Sequence, residues 1–393
     1  MHLAVNSVLR SGGRVRWARA AAALGFGLLL TACGAQTRSA GPAKPPSVQT
    51  ASAGYSDLAG WSDDAVAAAV PVFLKSCARI ASQPDHAPLD TAVRHGEFGK
   101  VGDWRPLCRQ AAALPAGDDR AARQFFEANF VPVAAQGAAA GTFTGYYEAE
   151  FQGSRVRDGR FQVPVYRKPS DLVSGRPYLD RAAIENGALG GRSLEVVWLE
   201  EPDDVLVLQT QGSGRIKLPD GSTVRLVYEA NNSRPTVSVF DLMQKSGAIP
   251  LAQFSNAAVR AWMRQNPEKA KAIRQQNPAY VFFKEHNGEG PIGAQGAVLT
   301  PERSLAVDHK YVPLGVPLWL EARGVYQPTS VKRLVVAQDT GDGIEGPVRG
   351  DYYWGSGAQA AARGGDFYAS GRYYLMLPRK IAMAAANRQL ASR

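Results

Sequence analysis

The sequence predicts a mainly β body with helices at its N-terminal end. Three observations lead there. Gly and Pro are plentiful, 40 and 25 of 393 residues, as a fold with many turns requires. Helical spacing of apolar residues dominates up to about residue 130. Beyond Gly141, short segments alternate in strand fashion, without the regular strand–helix succession of a doubly wound sheet.

The first element is a leader. Arg10, Arg14, Arg16 and Arg19 precede the apolar stretch AAAALGFGLLLTA, which ends at Cys33. A bilayer span needs about 20 apolar residues, so this stretch reads as the core of a secretory signal over residues 1–32. Leu30-Thr31-Ala32-Cys33 looks like a bacterial lipobox, which makes Cys33 the acylated N-terminus of the mature chain. Each buried acyl CH₂ contributes about 0.8 kcal/mol of anchoring. Gly34, where an Asp would retain the protein at the inner membrane, points to the outer membrane, facing the periplasm. Residues 33–52 are rich in Pro, Ser, Ala and Gly and read as a flexible tether.

Ser62 is placed to cap a first helix, with Asp63 and Asp64 in its first turn and Val66, Val70, Phe73, Cys77 and Ile80 on one face. Further helices are expected over Trp104–Ala113 and Asp118–Asn129. GTFTGYYEAEF, RFQVPVYR and EVVWLE read as strands, and residues 204–228 as a hairpin turning at Pro219-Asp220-Gly221. A helical stretch covers Asn256–Gln276. Strands return with AYVFF, GAVLT, SLAVD, PLWLEA, RLVVAQD and RYYLMLP.

Net charge is +10 and falls to about +6 once the four leader arginines are removed. No basic block is interleaved with aromatics, which argues against nucleic acid; a mildly basic surface suits an anionic polymer such as the cell wall. With Cys33 assigned, Cys77 and Cys108 remain. Export to an oxidising compartment favours a bridge between them over two buried thiols. The five histidines show no HxxxH or HxH spacing and there is no CxxC, so no metal and no other cofactor is expected.

Two carboxylates stand out in RLVVAQDTGDGIEGPVRGDYYWG. Asp339-Thr340-Gly341 resembles the active-site turn of aspartic peptidases, but those enzymes use two such aspartates sharing a proton, and no second DTG or DSG occurs. Otherwise Asp339 reads as the end of a strand bonded to a tight turn. Asp351 precedes Tyr352, Tyr353 and Trp354. Aromatic rings can pack on sugars, and they raise the pKa of a neighbouring carboxyl.

The stretch GAVLTPERSLAVDHKYVPLGVPLWLEA, followed by VVAQDTGDGIEGPVRGDYYWG, resembles the 3D domain, named for three aspartates, here Asp308, Asp339 and Asp351. TGYYEAEF, FQVPVYRKP, LQTQGSGRIKLPDG and NPAYVFF add a resemblance to the membrane-bound lytic murein transglycosylase A family, over about residues 60–380. That resemblance implies a double-psi β-barrel from residues 53–148 and 283–393, with the 3D region at about 290–380. A smaller inserted β-domain over 149–282 would leave a groove for a glycan strand at the junction. It implies cleavage of the β-1,4 bond between N-acetylmuramic acid and N-acetylglucosamine, with a 1,6-anhydro product. Asp351 would be the catalytic acid and then base, and Asp339 the supporting carboxylate. Thr144, Gln211, Gly212, Ser213 and Asp308 fall on positions near the sugar. Expected partners are peptidoglycan strands, the outer membrane through the lipid anchor, and proteins of cell-wall synthesis or remodelling. In EANNSRPTVSVFDLM the chain departs from the family, with Ser233 where a glycine is usual. The rival reading from another class is a non-catalytic peptidoglycan-binding envelope lipoprotein, since one fold hosts both binding and catalysis.

Overall fold

The computed structural model describes residues 49–391 except 92, 94–96 and 137–139. The leader, Cys33 and residues 33–48 of the expected tether lie outside the described residues. The last four tether residues form a strand, β1 (Gln49–Ser52), paired along β2 (Phe130–Gln136). Edge pairing satisfies backbone groups without needing an apolar side chain, so composition did not reveal it.

Three helices follow: α1 (Val70–Ala81), α2 (Val101–Ala112) and α3 (Asp119–Asn129). Asp118 caps α3 by accepting from the Ala121 amide. A disulfide between Cys77 and Cys108 joins α1 to α2. Ser62 does not cap a helix; short 3-10 turns at Trp61–Asp63 and Val66–Ala69 lead into α1 instead. Asp64 is drawn away from a first-turn role by Arg303, which grips both its oxygens at 2.7 and 2.8 Å in the interior. The bidentate pair pins this entry segment to the strands behind it.

The strands are β3 (Gly141–Ser154), β4 (Val163–Tyr166), β5 (Glu195–Leu199), β6 (Ser213–Lys217), β7 (Thr223–Asn231) and β8 (Val281–Glu285), then β9 (Ser304–Val307), β10 (Pro317–Gly324), β11 (Ser330–Asp339), β12 (Arg349–Ser356) and β13 (Tyr368–Pro378). The path β13–β10–β11–β9–β12–β3 closes on itself because β13 also pairs with β3. Six strands therefore form a barrel, in which β9–β11 and β3–β12 are parallel and the other pairs antiparallel. Its core, continuous with the packing of α1–α3, is built from Phe143, Leu305, Leu318, Trp319, Val335, Tyr352 and Leu375 among others.

Strand β3 is shared. Its first residues belong to the barrel, while Ala149–Gln152 pair with β6 and Gly153–Ser154 with β5. The segment it enters is mixed rather than purely β. Helices α4 (Arg181–Glu185), α5 (Pro202–Gln211), α6 (Val239–Ser246), α7 (Asn256–Gln265) and α8 (Pro267–Arg274) accompany β4–β8. Separate apolar clusters hold the sheet (Phe151, Val197, Leu208, Ile216, Leu226) and the helices α6–α8 (Val239, Met243, Val259, Met263).

Residues 202–211 are helical, where a strand was expected. The run of Val and Leu reads equally as either, and Pro202 with Asp203 and Asp204 supplies the helix start. Residues 296–300 form no strand; Val298 makes a single bridge to Ile292. A ninth helix, α9 (Gly357–Gly364), follows β12, and α10 (Arg379–Ala391) follows β13. Ser233, the residue in the usual glycine position, has φ 53. It holds the left-handed turn through its amide on Asn231 Oδ1 and its hydroxyl on the Gly175 amide.

Candidate active site

Alternation along the barrel strands sets the site. In β12, Gly350, Tyr352 and Trp354 are buried and pack into the core, so Arg349 and Asp351 point the other way. The rings beside Asp351 are therefore not a sugar platform, contrary to one expectation. Tyr352 and Trp354 sit behind the sheet, and Tyr353 packs on Tyr146 with centroids 5.2 Å apart. Register then brings the other groups in. Asp351 lies opposite Thr144 of β3 and Ala306 of β9, and Ala306 lies opposite Asp339 of β11.

The three aspartates differ in what their oxygens are doing. Asp308 is buried, its Oδ1 accepting from the Lys310 amide at 3.0 Å and its Oδ2 from the Gly346 amide at 2.8 Å. It ties the loop that follows Asp339 to the end of β9. Asp339 Oδ1 accepts from the Ala294 and Thr340 amides, at 2.8 and 2.9 Å, and Oδ2 from the Tyr146 hydroxyl at 3.1 Å. Asp351 Oδ1 accepts from the Thr144 hydroxyl and from Arg349 Nη1 at 2.6 Å, while Arg349 Nη2 reaches Thr144 Oγ1 at 2.8 Å. Asp351 Oδ2 has no hydrogen-bond partner among the described residues, and the side chain is 22% exposed.

Burial raises both catalytic candidates. Asp339 is pushed up to about 6, by desolvation first, against its three hydrogen bonds, with the Asp351 charge adding to the rise. Desolvation also raises Asp351, opposed by the charge and hydrogen bond of Arg349. Burial and then the Asp339 charge hold the Tyr146 hydroxyl well above its ordinary range, so it remains a donor. The arrangement is one fixed carboxylate beside a second carboxyl with an open oxygen, in a pocket that favours holding a proton.

Of the expected sugar contacts, Thr144 is in the site. Gln211 meets the same strand at Tyr147, whose amide donates to its Oε1 at 2.9 Å. Gly212 ends α5 with φ 75, and its carbonyl accepts from the Tyr228 amide. Ser213 opens β6, is 8% exposed and lies opposite Val227 of β7. Sequence reasoning missed Tyr146 and Arg349. Each lies two residues from a residue already singled out, Thr144 and Asp351, on the same strand face. Beyond the aspartates, Asp342 in the following loop accepts from Thr236 of the middle segment at 3.4 Å. Glu148, fully buried in β3, pairs with Arg225 of β7 at 2.6 Å and accepts from Ser356 of β12 at 2.7 Å. These contacts tie the middle segment to the barrel beside the site.

Residues 142–284 match the MltA specific insert domain and residues 303–377 the 3D domain. The membrane-bound lytic murein transglycosylase A of Escherichia coli is 32% identical over 253 residues, covering 62% of this chain and 67% of that one. The Vibrio cholerae protein of the same name is 29% identical, covering 59% and 64%. The chain thus spans about two thirds of the length of these relatives. A membrane-bound lytic murein transglycosylase from Agrobacterium tumefaciens superposes with a TM-score of 0.76 at 28% identity, covering 85% of this chain and 99% of that one. Escherichia coli MltA with bound chitohexaose superposes with a TM-score of 0.61 at 26% identity, covering 79% and 90%.

Proposed function

This chain belongs to the membrane-bound lytic murein transglycosylase A family, and from that premise we propose that it cleaves the β-1,4 bond between N-acetylmuramic acid and N-acetylglucosamine in peptidoglycan, with Asp351 as the single acid–base group. The observation that carries the choice of residue is the open Oδ2 of Asp351, the one free carboxylate oxygen among Asp308, Asp339 and Asp351.

Protonated Asp351 donates from Oδ2 to the glycosidic oxygen as its bond to C1 of the muramoyl ring breaks. Arg349 and Thr144, both on Oδ1, stabilise the carboxylate that results. They also fix the rotamer, so that Oδ2 faces the substrate. The carboxylate then takes the proton of the muramoyl C6 hydroxyl as that oxygen bonds to C1. The product is a 1,6-anhydro ring, no water is consumed, and Asp351 ends protonated, as it began. The nucleophile is part of the substrate, so proximity replaces the second catalytic carboxylate of an ordinary glycosidase. Asp339, held by two backbone amides and Tyr146, supplies negative charge near the developing oxocarbenium ion. Gln211 and Thr144 line the approach on the side of β3. The groove lies where the barrel, residues 53–148 and 283–393, meets the inserted segment 149–282. The relatives are named as membrane-bound; here the anchor is acylated Cys33 in the outer membrane, with the short tether ending at β1.

The test uses murein sacculi, the full chain and Asp351→Asn, with products read by mass spectrometry. The wild type releases muropeptides lighter by one water than a hydrolysis product. The Asn variant keeps its fold and loses about 10²–10⁴ in turnover. Products with reducing ends overturn the reaction, and an Asn variant near the wild-type rate overturns the residue assignment.

A further inference from the structure

The face of the barrel that carries Asp351 continues beyond the aspartates. Tyr368 of β13 lies directly opposite Thr144 of β3, which lies opposite Asp351. Residues directly opposed on neighbouring strands share a face. A second row, Ser370, Thr142 and Arg349, runs beside the first. The residues between these rows, Ala369, Phe143 and Gly350, are buried on the core side. Tyr368 is thus on the same floor as Asp351, two strand spacings away, or about 10 Å.

Tyr368 is 43% exposed, and its ring packs against Tyr326, which is 82% exposed, with centroids 5.8 Å apart and planes at 33°. The Val325 amide donates to the Tyr368 carbonyl at 2.9 Å, which holds the β10–β11 turn against the start of β13. Neither ring belongs to an apolar cluster of the interior. A single exposed tyrosine needs no explanation. Two held together, in line with the acid and beside the hydroxyls of Thr142, Thr144 and Ser370, form a surface with an apolar face and a polar border. A pyranose ring has the matching pattern, with C–H bonds on its faces and hydroxyl and acetamido groups around its rim.

We propose that Tyr326 and Tyr368 form an outlying sugar subsite, which stacks a pyranose of the same glycan strand at a remove from the bond being cut. The proposal rests on the reading of Asp351 as the catalytic acid, because that reading sets the direction of the groove. Its effect is on holding long strands, not on the chemical step.

The experiment measures calorimetric binding of long, peptide-free murein glycan strands to the full-length chain. It is done in the Asp351→Asn background so that strands stay intact. Adding Tyr326→Ala and Tyr368→Ala is expected to weaken binding about 5–10-fold. Phe at both positions keeps the affinity, since the ring faces and not the hydroxyls make the contact. Both rings lie outside the core, so the melting temperature of each variant confirms folding independently. Unchanged affinity in the double Ala variant overturns the subsite, and so does a loss that Phe does not rescue. Turnover of Asp351→Asn on sacculi is scored separately. If that variant remains active, the direction of the groove is wrong; if it is inactive while the double Ala variant binds normally, only the subsite fails.

Discussion

Asp339→Asn is expected to stabilise the fold at neutral pH while it slows catalysis. In the folded protein the Asp339 carboxyl titrates at about 6, against 3.8 for the group in an ordinary environment. Below about pH 4 it is protonated in both folded and unfolded chains and contributes nothing to pH dependence. As pH rises from about 4 to 6 the unfolded chain gives up this proton while the folded one keeps it, so stability falls through that window. Above about 6 the penalty is constant. At 1.36 kcal/mol per pH unit the gap amounts to about 3 kcal/mol. Asp339 keeps part of its surface open to solvent, so roughly half of this, about 1–2 kcal/mol, is the expected effect. Asn keeps a carbonyl for the Ala294 and Thr340 amides, and the Tyr146 hydroxyl can turn to accept from the new amide group. Urea unfolding near pH 8 should then show the variant more stable by about 1–2 kcal/mol, with the advantage gone near pH 4. Turnover at the same neutral pH should drop by about 10²-fold as the charge facing the oxocarbenium ion is lost. A gain that persists at low pH, or a variant less stable than wild type at pH 8, would refute a buried, charge-penalised carboxylate at this position.

Arg349→Met removes the cation from Asp351 and leaves the aliphatic stem. Asp351 then holds its proton more tightly, and the basic limb of the kcat/KM profile moves to higher pH; an unmoved or lowered limb would exclude Arg349 from setting the protonation of Asp351. Cys77→Ser with Cys108→Ser opens a loop with a sequence separation of 31 and should cost about 3–4 kcal/mol in denaturant unfolding, without changing kcat for the folded fraction.

Much of the fold was legible in the sequence because its signals are local. Alternation marked β3, an apolar run marked β11 and helical spacing marked α3, whereas β12, which carries Asp351, read as a glycine-rich loop and became a strand only by pairing with β3 and β9. Family membership rested on motifs written in order along the chain, and the family models match the same stretches. Local signals failed where they were double-valued. Val205, Leu206, Val207 and Leu208 alternate no better as a strand than they wind as a helix, and α5 formed there. At Gln49–Ser52, pairing to β2 overrode a composition typical of a linker.

Residue by residue, the sequence alone determined which side chains were available for chemistry: three aspartates, a Thr in an alternating strand, and no metal-binding pattern. Tertiary structure decided what each aspartate could do. Asp308 and Asp339 spend their oxygens on amides at Gly346 and Ala294, and Asp351 is left with one open because Thr144, 207 positions away, and Arg349 share the other. The same is true of Tyr368, which shares a sheet face with Asp351 only because β13 closes the barrel against β3. The physical reason is that a side chain's hydrogen bonds and solvent exposure depend on strand register. Register is set by contacts between segments remote in sequence, and no local pattern of residues encodes it.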